Sequence, residues 1–356
     1  MTNQNNHQIE AIEAFAQTVL GYSSGQHVAL MMHLGDRLGL YTAMQGQGVL
    51  TAAALAEHTG LQERWLLEWL RGQAAAGLIE HHGQEYFALS PAGAAVLTDE
   101  SNPFYLAGFF HSIVSPETLT RITESFSSGL GMSYDAHGAN CACGIKRMTG
   151  PGIKLLPLFL GRIDELTERL EAGINVIDIG CGAGLAMLEL AKRYPQSTFL
   201  GCDPSPTAIE MAQADARQAG LSNLSFEVAR AENLPQTAQY DLALTLDCIH
   251  DMTFPHHALR AIRGALKPEG LLFIADIKSS ARIEDNLANP IAPLLYGLSV
   301  LYCMNSALSE PNGAGLGTLG FNPTLAQKMT AEAGFTRFEQ LDFEEDPFNN
   351  YYLVRP

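Results

Sequence analysis

Apolar residues at Ile9, Ile12, Phe15, Ala16 and Val19 recur at helical spacing, and a second apolar run follows in "VALMMHLGDRLGLYTAM". This pattern predicts helix from Ile9 to about Tyr41. "LTAAALAEHTG" and "ERWLLEWLRGQAAAGLIE" predict two more helices, with Gly60 and Gly77 where C-caps are expected. In "LIEHHGQEYFAL" two short strand-like runs flank a His-Gly-Gln turn, and "SPAG" starts a further helix with Ser90 as cap and Pro91 in its first turn. Three helices and a hairpin read as a winged helix over residues 1–95.

Residues 96–170 read as a helical connecting region. Its helical patches, "SPETLTRITESFSSGL" and "LPLFLGRIDELTERL", flank the glycine-rich interval "GLGMSYDAHGANCACGIKRMTGPG". An interval of that length without structure is expected to be a lid or a mobile loop. From 171 to 356 short apolar strands alternate with helices: "NVIDIG", "STFLGCD", "LSFEVAR", "YDLALTLD" and "GLLFIADI", with strand character returning in "FTRFEQLDF" and "NNYYLVRP". That alternation predicts an open, doubly wound α/β domain.

Composition narrows the function classes. With 47% hydrophobic and 17% charged residues the chain is expected to fold, and a net charge of −17 disfavours a polyanionic partner. Residues 1–100 hold three basic residues (Arg37, Arg64, Arg71) against ten acidic ones, which argues against DNA binding by the winged helix. The apolar load of Trp65, Leu66, Leu67, Trp69 and Leu70 suits packing against another subunit, so a homodimer is expected. No basic, apolar leader opens the chain and no apolar run is long enough for a bilayer, so a cytoplasmic protein with no membrane partner is expected. Six scattered cysteines do not form a disulfide framework, and Cys141-x-Cys143 lacks zinc-ribbon spacing, so no metal is expected.

The chemistry begins at "VIDIGCGAG", Val176 to Gly184. In an open α/β sheet a ligand binds beyond the carboxyl ends of the strands, and glycines at 180, 182 and 184 let backbone approach it closely. The nicotinamide fingerprint requires glycine at position 185, which is Leu, and no lysine follows as a triphosphate loop requires. The stretch resembles the first motif of the class I S-adenosylmethionine-dependent methyltransferases. Three more stretches match in order: an acidic residue ending the next strand, Asp203 in "FLGCDPS"; "ARAENLP"; and "LKPEGLLFIAD". The resemblance implies a Rossmann-like methyltransferase domain that binds S-adenosylmethionine. The shell it implies comprises Asp178, Gly180, Cys181, Gly182, Gly184, Asp203, Pro204, Ala231, Glu232, Asp247 and Cys248, with Asp203 on the ribose hydroxyls. Arg230 stands where the family usually has an acidic residue near the adenine.

Methyl transfer from a sulfonium is an in-line displacement in which a hydroxyl acceptor must also lose a proton. "LDCIHDM" brings His250 and Asp251 to the strand edge where the methyl is expected, and imidazole is suited to take that proton near neutrality. The same His-Asp pair resembles that of small-molecule O-methyltransferases, which implies His250 as base, with Asp251 a catalytic or capping residue. The acceptor is expected to meet Tyr134 from the connecting region and Tyr296, Tyr302 and Asn305 from an insertion after the fifth strand, with Cys303, Glu310 and His137 nearby. Glycines 313, 315, 317 and 320 in that insertion suggest a mobile lid. Two alternatives remain open at this point: a thiol, thioether or metalloid acceptor, the last requiring Cys141, Cys143 and Cys303 to converge, and a ligand-sensing transcription regulator.

Overall fold

The computed structural model describes residues 2–356 and divides into two compact units. The first runs to Ile113 and includes Arg147–Pro151; the second comprises Val114–Lys146 and Gly152–Pro356.

In the first unit, α1 (Thr2–Arg37), α2 (Leu40–Met44), α3 (Ala52–Thr59) and α4 (Glu63–Ala75) precede a hairpin of β1 (Glu80–His81) and β2 (Phe87–Ala88), then α5 (Pro91–Leu97). The capping signals act as the sequence suggests: Ser90 accepts from Gly93 N–H, Pro91 opens α5, and Gly60 ends α3 in the left-handed conformation. Gly77, also left-handed, lies one residue beyond the Ala76 cap of α4. The apolar load of α4 is distributed differently from the expectation. Leu66, Trp69 and Leu70 pack in this unit's own core with Met44, Leu55 and Phe87, and only Trp65, 80% exposed, is left outside. The exposed apolar surface instead runs along α1, through Ile9, Ile12, Phe15, Val19 and Leu20.

The interval expected to be a loop is mostly helix. It contains a 3₁₀ turn at Tyr134–His137 and then α7 (Ala139–Leu160), which follows α6 (Pro116–Ser128) and precedes α8 (Leu166–Ala172). Glycine costs a helix about 1 kcal/mol relative to alanine, but Leu156, Phe159 and Leu160 are fully buried in the second unit's core, and that burial outweighs propensity. Within the first unit the glycine economy is reciprocal: a Cβ on Gly108 would stand 2.5 Å from the Met148 backbone nitrogen.

The second unit is built on seven strands: β3 (Asn175–Ile179), β4 (Thr198–Asp203), β5 (Leu224–Val228), β6 (Tyr240–Leu246), β7 (Leu266–Ile277), β8 (Arg337–Leu341) and β9 (Asn349–Arg355). They lie in the order β5-β4-β3-β6-β7-β9-β8, parallel except for β9, which runs antiparallel to both neighbours. Between strands come α9 (Leu185–Arg193), α10 (Pro206–Ala219), α11 (Pro255–Ala265), α12 (Ile283–Leu287), α13 (Ala292–Leu298), α14 (Met304–Ala307) and α15 (Pro323–Glu332). Successive strand residues face opposite ways, so Val176, Leu242 and Leu271 enter one core while Ile177, Ala243 and Leu272 enter the other. Both faces are therefore covered, as a central parallel sheet requires. The chain leaves β3 for β4 on one side and returns to β6 on the other. This reversal opens a crevice at the carboxyl ends of β3 and β6, where such sheets bind ligands.

Candidate active site

The loop after β3 occupies that crevice. Gly180, Gly182 and Gly184 all have left-handed backbone, at φ 75°, 52° and 75°. Their reasons differ. A Cβ on Gly180 would lie 2.8 Å from Cys248 and one on Gly184 2.4 Å from Phe226, whereas at Gly182 nothing lies within 4 Å. Two glycines thus permit packing and the middle one faces open space.

Asp203, at the end of β4, is held from both sides: its Oδ2 accepts Gly182 N–H at 2.9 Å and its Oδ1 accepts Ser205 N–H at 2.8 Å. Asp178 is 1% exposed and its Oδ1 has no hydrogen-bond partner. Burial, reinforced by the Asp203 charge, pushes its pKa up to about 8. A buried carboxyl oxygen without a hydrogen-bond partner and a neighbouring Asp203 carboxylate suit a cationic ligand with hydroxyls. S-adenosylmethionine, carrying a sulfonium, an ammonium and a ribose, has that chemistry.

The other cofactor candidates divide. Ala231 is buried in a 3₁₀ turn, while Glu232 accepts from Arg230 at 3.2 Å. Arg230 also pairs with Glu310, which engages Glu310 otherwise than as the expected acceptor contact. Cys248 donates to the Ile179 carbonyl at 3.0 Å, and the Cys202 carbonyl accepts from both Gly180 and Cys181, so these cysteines brace the strand ends. Pro204 lies in the turn between Asp203 and the Ser205 cap of α10. Asp247, directly after β6, has φ 53°, unusual for a residue other than glycine, and burial together with the Asp276 charge raises its pKa to about 7.

His250 sits in a 3₁₀ turn after β6 and is 2% exposed. Its Nδ1 is 2.7 Å from Asp276 Oδ1, which leaves Nε2 toward Cys303. Burial opposes charge on the ring, but the Asp276 carboxylate outweighs it and holds the imidazole pKa well above its ordinary value. Ligand atoms of His250, Asp251 and Cys303 lie within 4.8 Å of one another. Tyr134 O–H donates to Cys303 Sγ at 3.3 Å, and Tyr134 also acts electrostatically on Asp251. Burial raises Asp251 to about 7; it does not cap α11, whose N-cap is Phe254.

The two segments expected to line the acceptor pocket do meet. His137 and Tyr302 rings lie 5.0 Å apart, and Asn305 Oδ1 accepts Met132 N–H at 2.7 Å. A Cβ on Gly131 would collide with the Asn305 carbonyl, so the contact needs glycine there. Asp135 accepts from Ser205 Oγ at 2.7 Å, so the same short turn also touches the segment that follows Asp203. Tyr296, 37% exposed, makes none of these contacts. The glycine-rich stretch is not a free lid: Gly317 N–H donates to the His250 carbonyl at 3.0 Å and Ala314 N–H to that of Thr253 at 2.9 Å. Its glycines serve close packing, since a Cβ on Gly317 would stand 2.4 Å from Ser299 Oγ. Cys141 is an electrostatic neighbour of Cys303.

Sequence reasoning missed Asp276 as the partner of His250. Its only signal was an acidic residue at the end of the strand that follows β6 in both chain and sheet.

Fold and site together define a Rossmann-like methyltransferase domain joined to a helical winged-helix domain. Residues 170–298 match the family described as "Methyltransferase domain", and residues 26–99 match the "Rv2258c-like winged HTH domain". Over 128 residues the chain is 28% identical to a ubiquinone biosynthesis O-methyltransferase of Leptothrix cholodnii, covering 35% of this chain and 53% of that protein. The chain thus spans about half the length of that relative. Similar solved structures include the mitomycin 7-O-methyltransferase MmcR (TM-score 0.70, 20% identity, 97% of this chain and 99% of that one). Human N-acetylserotonin methyltransferase in complex with SAM is also similar (TM-score 0.63, 17% identity, 96% and 97%). Among the described residues no helix is long and apolar enough to cross a membrane.

Proposed function

We propose that this chain transfers a methyl group from S-adenosylmethionine to an oxygen atom of a small-molecule acceptor, with His250 as the base. The observation that carries the reading is the 2.7 Å pairing of His250 Nδ1 with Asp276. It fixes the ring so that Nε2 accepts the proton and the carboxylate stabilises the imidazolium that results. Bound S-adenosylmethionine supplies an electrophilic methyl on a cationic sulfur; Asp178 and Asp203 meet its positive and hydroxyl groups, and Gly182 leaves it room. The same positive charge works against the imidazolium and so favours the neutral ring that a base requires. Tyr134 and Asp251 stand beside the His250–Cys303 pair, and the Tyr302 and His137 rings add aromatic surface to the acceptor's side.

Two accompanying statements belong to this reading. The apolar residues left exposed along α1 support a homodimer without nucleic acid, and six free cysteines suit the reducing cytoplasm. The test is single-turnover methyl transfer from labelled cofactor to phenols, hydroxy acids, thiols and thioethers, in wild type and His250→Gln. On a hydroxyl acceptor the variant is expected to lose about 10²–10⁴-fold in rate while cofactor affinity holds. Equal rates would remove the base assignment, and transfer to thioethers alone would remove the oxygen acceptor.

A further inference from the structure

We propose that His250, Asp251 and Cys303 form a binding site for a thiophilic divalent cation, zinc foremost, at the base of the acceptor pocket. Their donor atoms, one imidazole nitrogen, one carboxylate oxygen and one thiol sulfur, already lie within 4.8 Å of one another. Tetrahedral zinc, with bonds of about 2.0–2.3 Å, holds its ligand atoms roughly 3.3–3.8 Å apart, so closure needs little more than rotamer adjustment.

The second observation is the histidine's outer partner. Zinc-ligating imidazoles characteristically donate their other N–H to a carboxylate, which fixes ring and tautomer. His250 has this arrangement, with Nδ1 on Asp276 and Nε2 toward the sulfur. The sulfur in turn receives the Tyr134 hydroxyl at 3.3 Å, which fixes its position beside the imidazole. Charge points the same way: buried Asp276 and the partly buried Asp247 and Asp251 surround one imidazole. The donor set selects among cations, since sulfur and nitrogen ligands suit zinc and not magnesium or calcium. Cys303 ends a π-helical turn, Ser299–Cys303, and Gly131 and Asn305 pin the facing segment, so both walls are fixed by backbone.

The consequence for activity rests on the functional reading above: zinc on Nε2 removes the lone pair that would accept the acceptor's proton, so the metal excludes the acceptor and inhibits. Binding itself is independent of that reading.

The experiment uses the full chain, stripped with chelator and titrated with Co²⁺ as the probe. Expected are one equivalent of cobalt, a thiolate-to-cobalt charge-transfer band in the near ultraviolet, the visible bands of a four-coordinate site, and loss of all of these on adding Zn²⁺. Cys303→Ser should abolish the charge-transfer band, whereas Cys141→Ser and Cys143→Ser should keep it. Asp276→Asn should weaken zinc binding by roughly 10–100-fold. S-adenosylhomocysteine binding by each variant verifies its fold. Absence of the band in wild type, or its persistence in Cys303→Ser, overturns the site. If the bands appear as expected but zinc leaves methyl transfer untouched, the metal site stands and the reading of this pocket as the acceptor's falls.

Discussion

Cofactor affinity should depend on pH through Asp178. Its pKa near 8 arises from burial and from Asp203, so in the bare site it carries a proton at neutrality. A cationic cofactor binds the ionised form, and the observed affinity then follows the ionised fraction. Between pH 5.5 and 7 that fraction, and with it the association constant, rises about 30-fold. This window lies below the region where the cofactor's own α-amino group titrates, at roughly pH 7.7–8.0. Replacing Asp178 by Asn removes both the charge and the titration. Affinity at pH 7 should fall about ten- to hundredfold, since a charged hydrogen bond is worth roughly 1.5–3 kcal/mol, and the steep rise with pH should flatten. The stability of the free protein should move oppositely. Because the folded pKa is raised, the native state holds a proton that the unfolded chain releases above about pH 4. Stability is full below that pH and is lost as pH rises toward 8. Asp178→Asn should relieve this penalty and raise the free protein's melting temperature, most at pH 8. Calorimetry across pH 5.5 to 7 checks the binding half and thermal scans the other. Flat wild-type affinity, or an equal slope in the variant, would refute the assignment of Asp178 to the cation.

Asp203→Ala should weaken binding of S-adenosylhomocysteine by roughly 1.5–3 kcal/mol, read by calorimetry, since it removes the carboxylate that Gly182 and Ser205 position. Phe15→Glu with Ile12→Glu on exposed α1 should shift sedimentation at micromolar concentration from dimer to monomer, and neither form should give a salt-sensitive DNA complex. Gly184→Ala, at φ 75° and with its Cβ 2.4 Å from Phe226, should cost about 1–3 kcal/mol in denaturant unfolding.

What the sequence revealed and what it hid divide along the reach of the forces involved. Glycines 180, 182 and 184 were legible because a tight turn constrains backbone dihedrals locally, and Ser90 because a cap bonds a neighbour three residues away. Asp203 was legible because it ends a strand whose apolar run announces it. The failures all involve partners remote in the chain. Local propensity read residues 129–152 as loop, but residues 139–152 form the first turns of α7, a helix whose Leu156, Phe159 and Leu160 are buried in the core. The apolar face of α4 signalled an interface, but most of it closes the core of its own unit. Asp276 reaches His250 only because β7 lies beside β6 in the register that sets Ala275 opposite Leu246, a fact of sheet order that no spacing encodes. The cofactor side of the crevice is built mainly from the first kind of feature and the acceptor side from the second. On the proposed function, local constraints specify the ligand of the β3 loop and Asp203, while the acceptor depends on how residues 130–137, 250–251 and 299–305 converge. A change in residues 250–251 or 299–305, which make none of the Asp203 or Ser205 bonds, should alter the acceptor while the glycine loop stays the same, whereas a change at Asp135 should reach both.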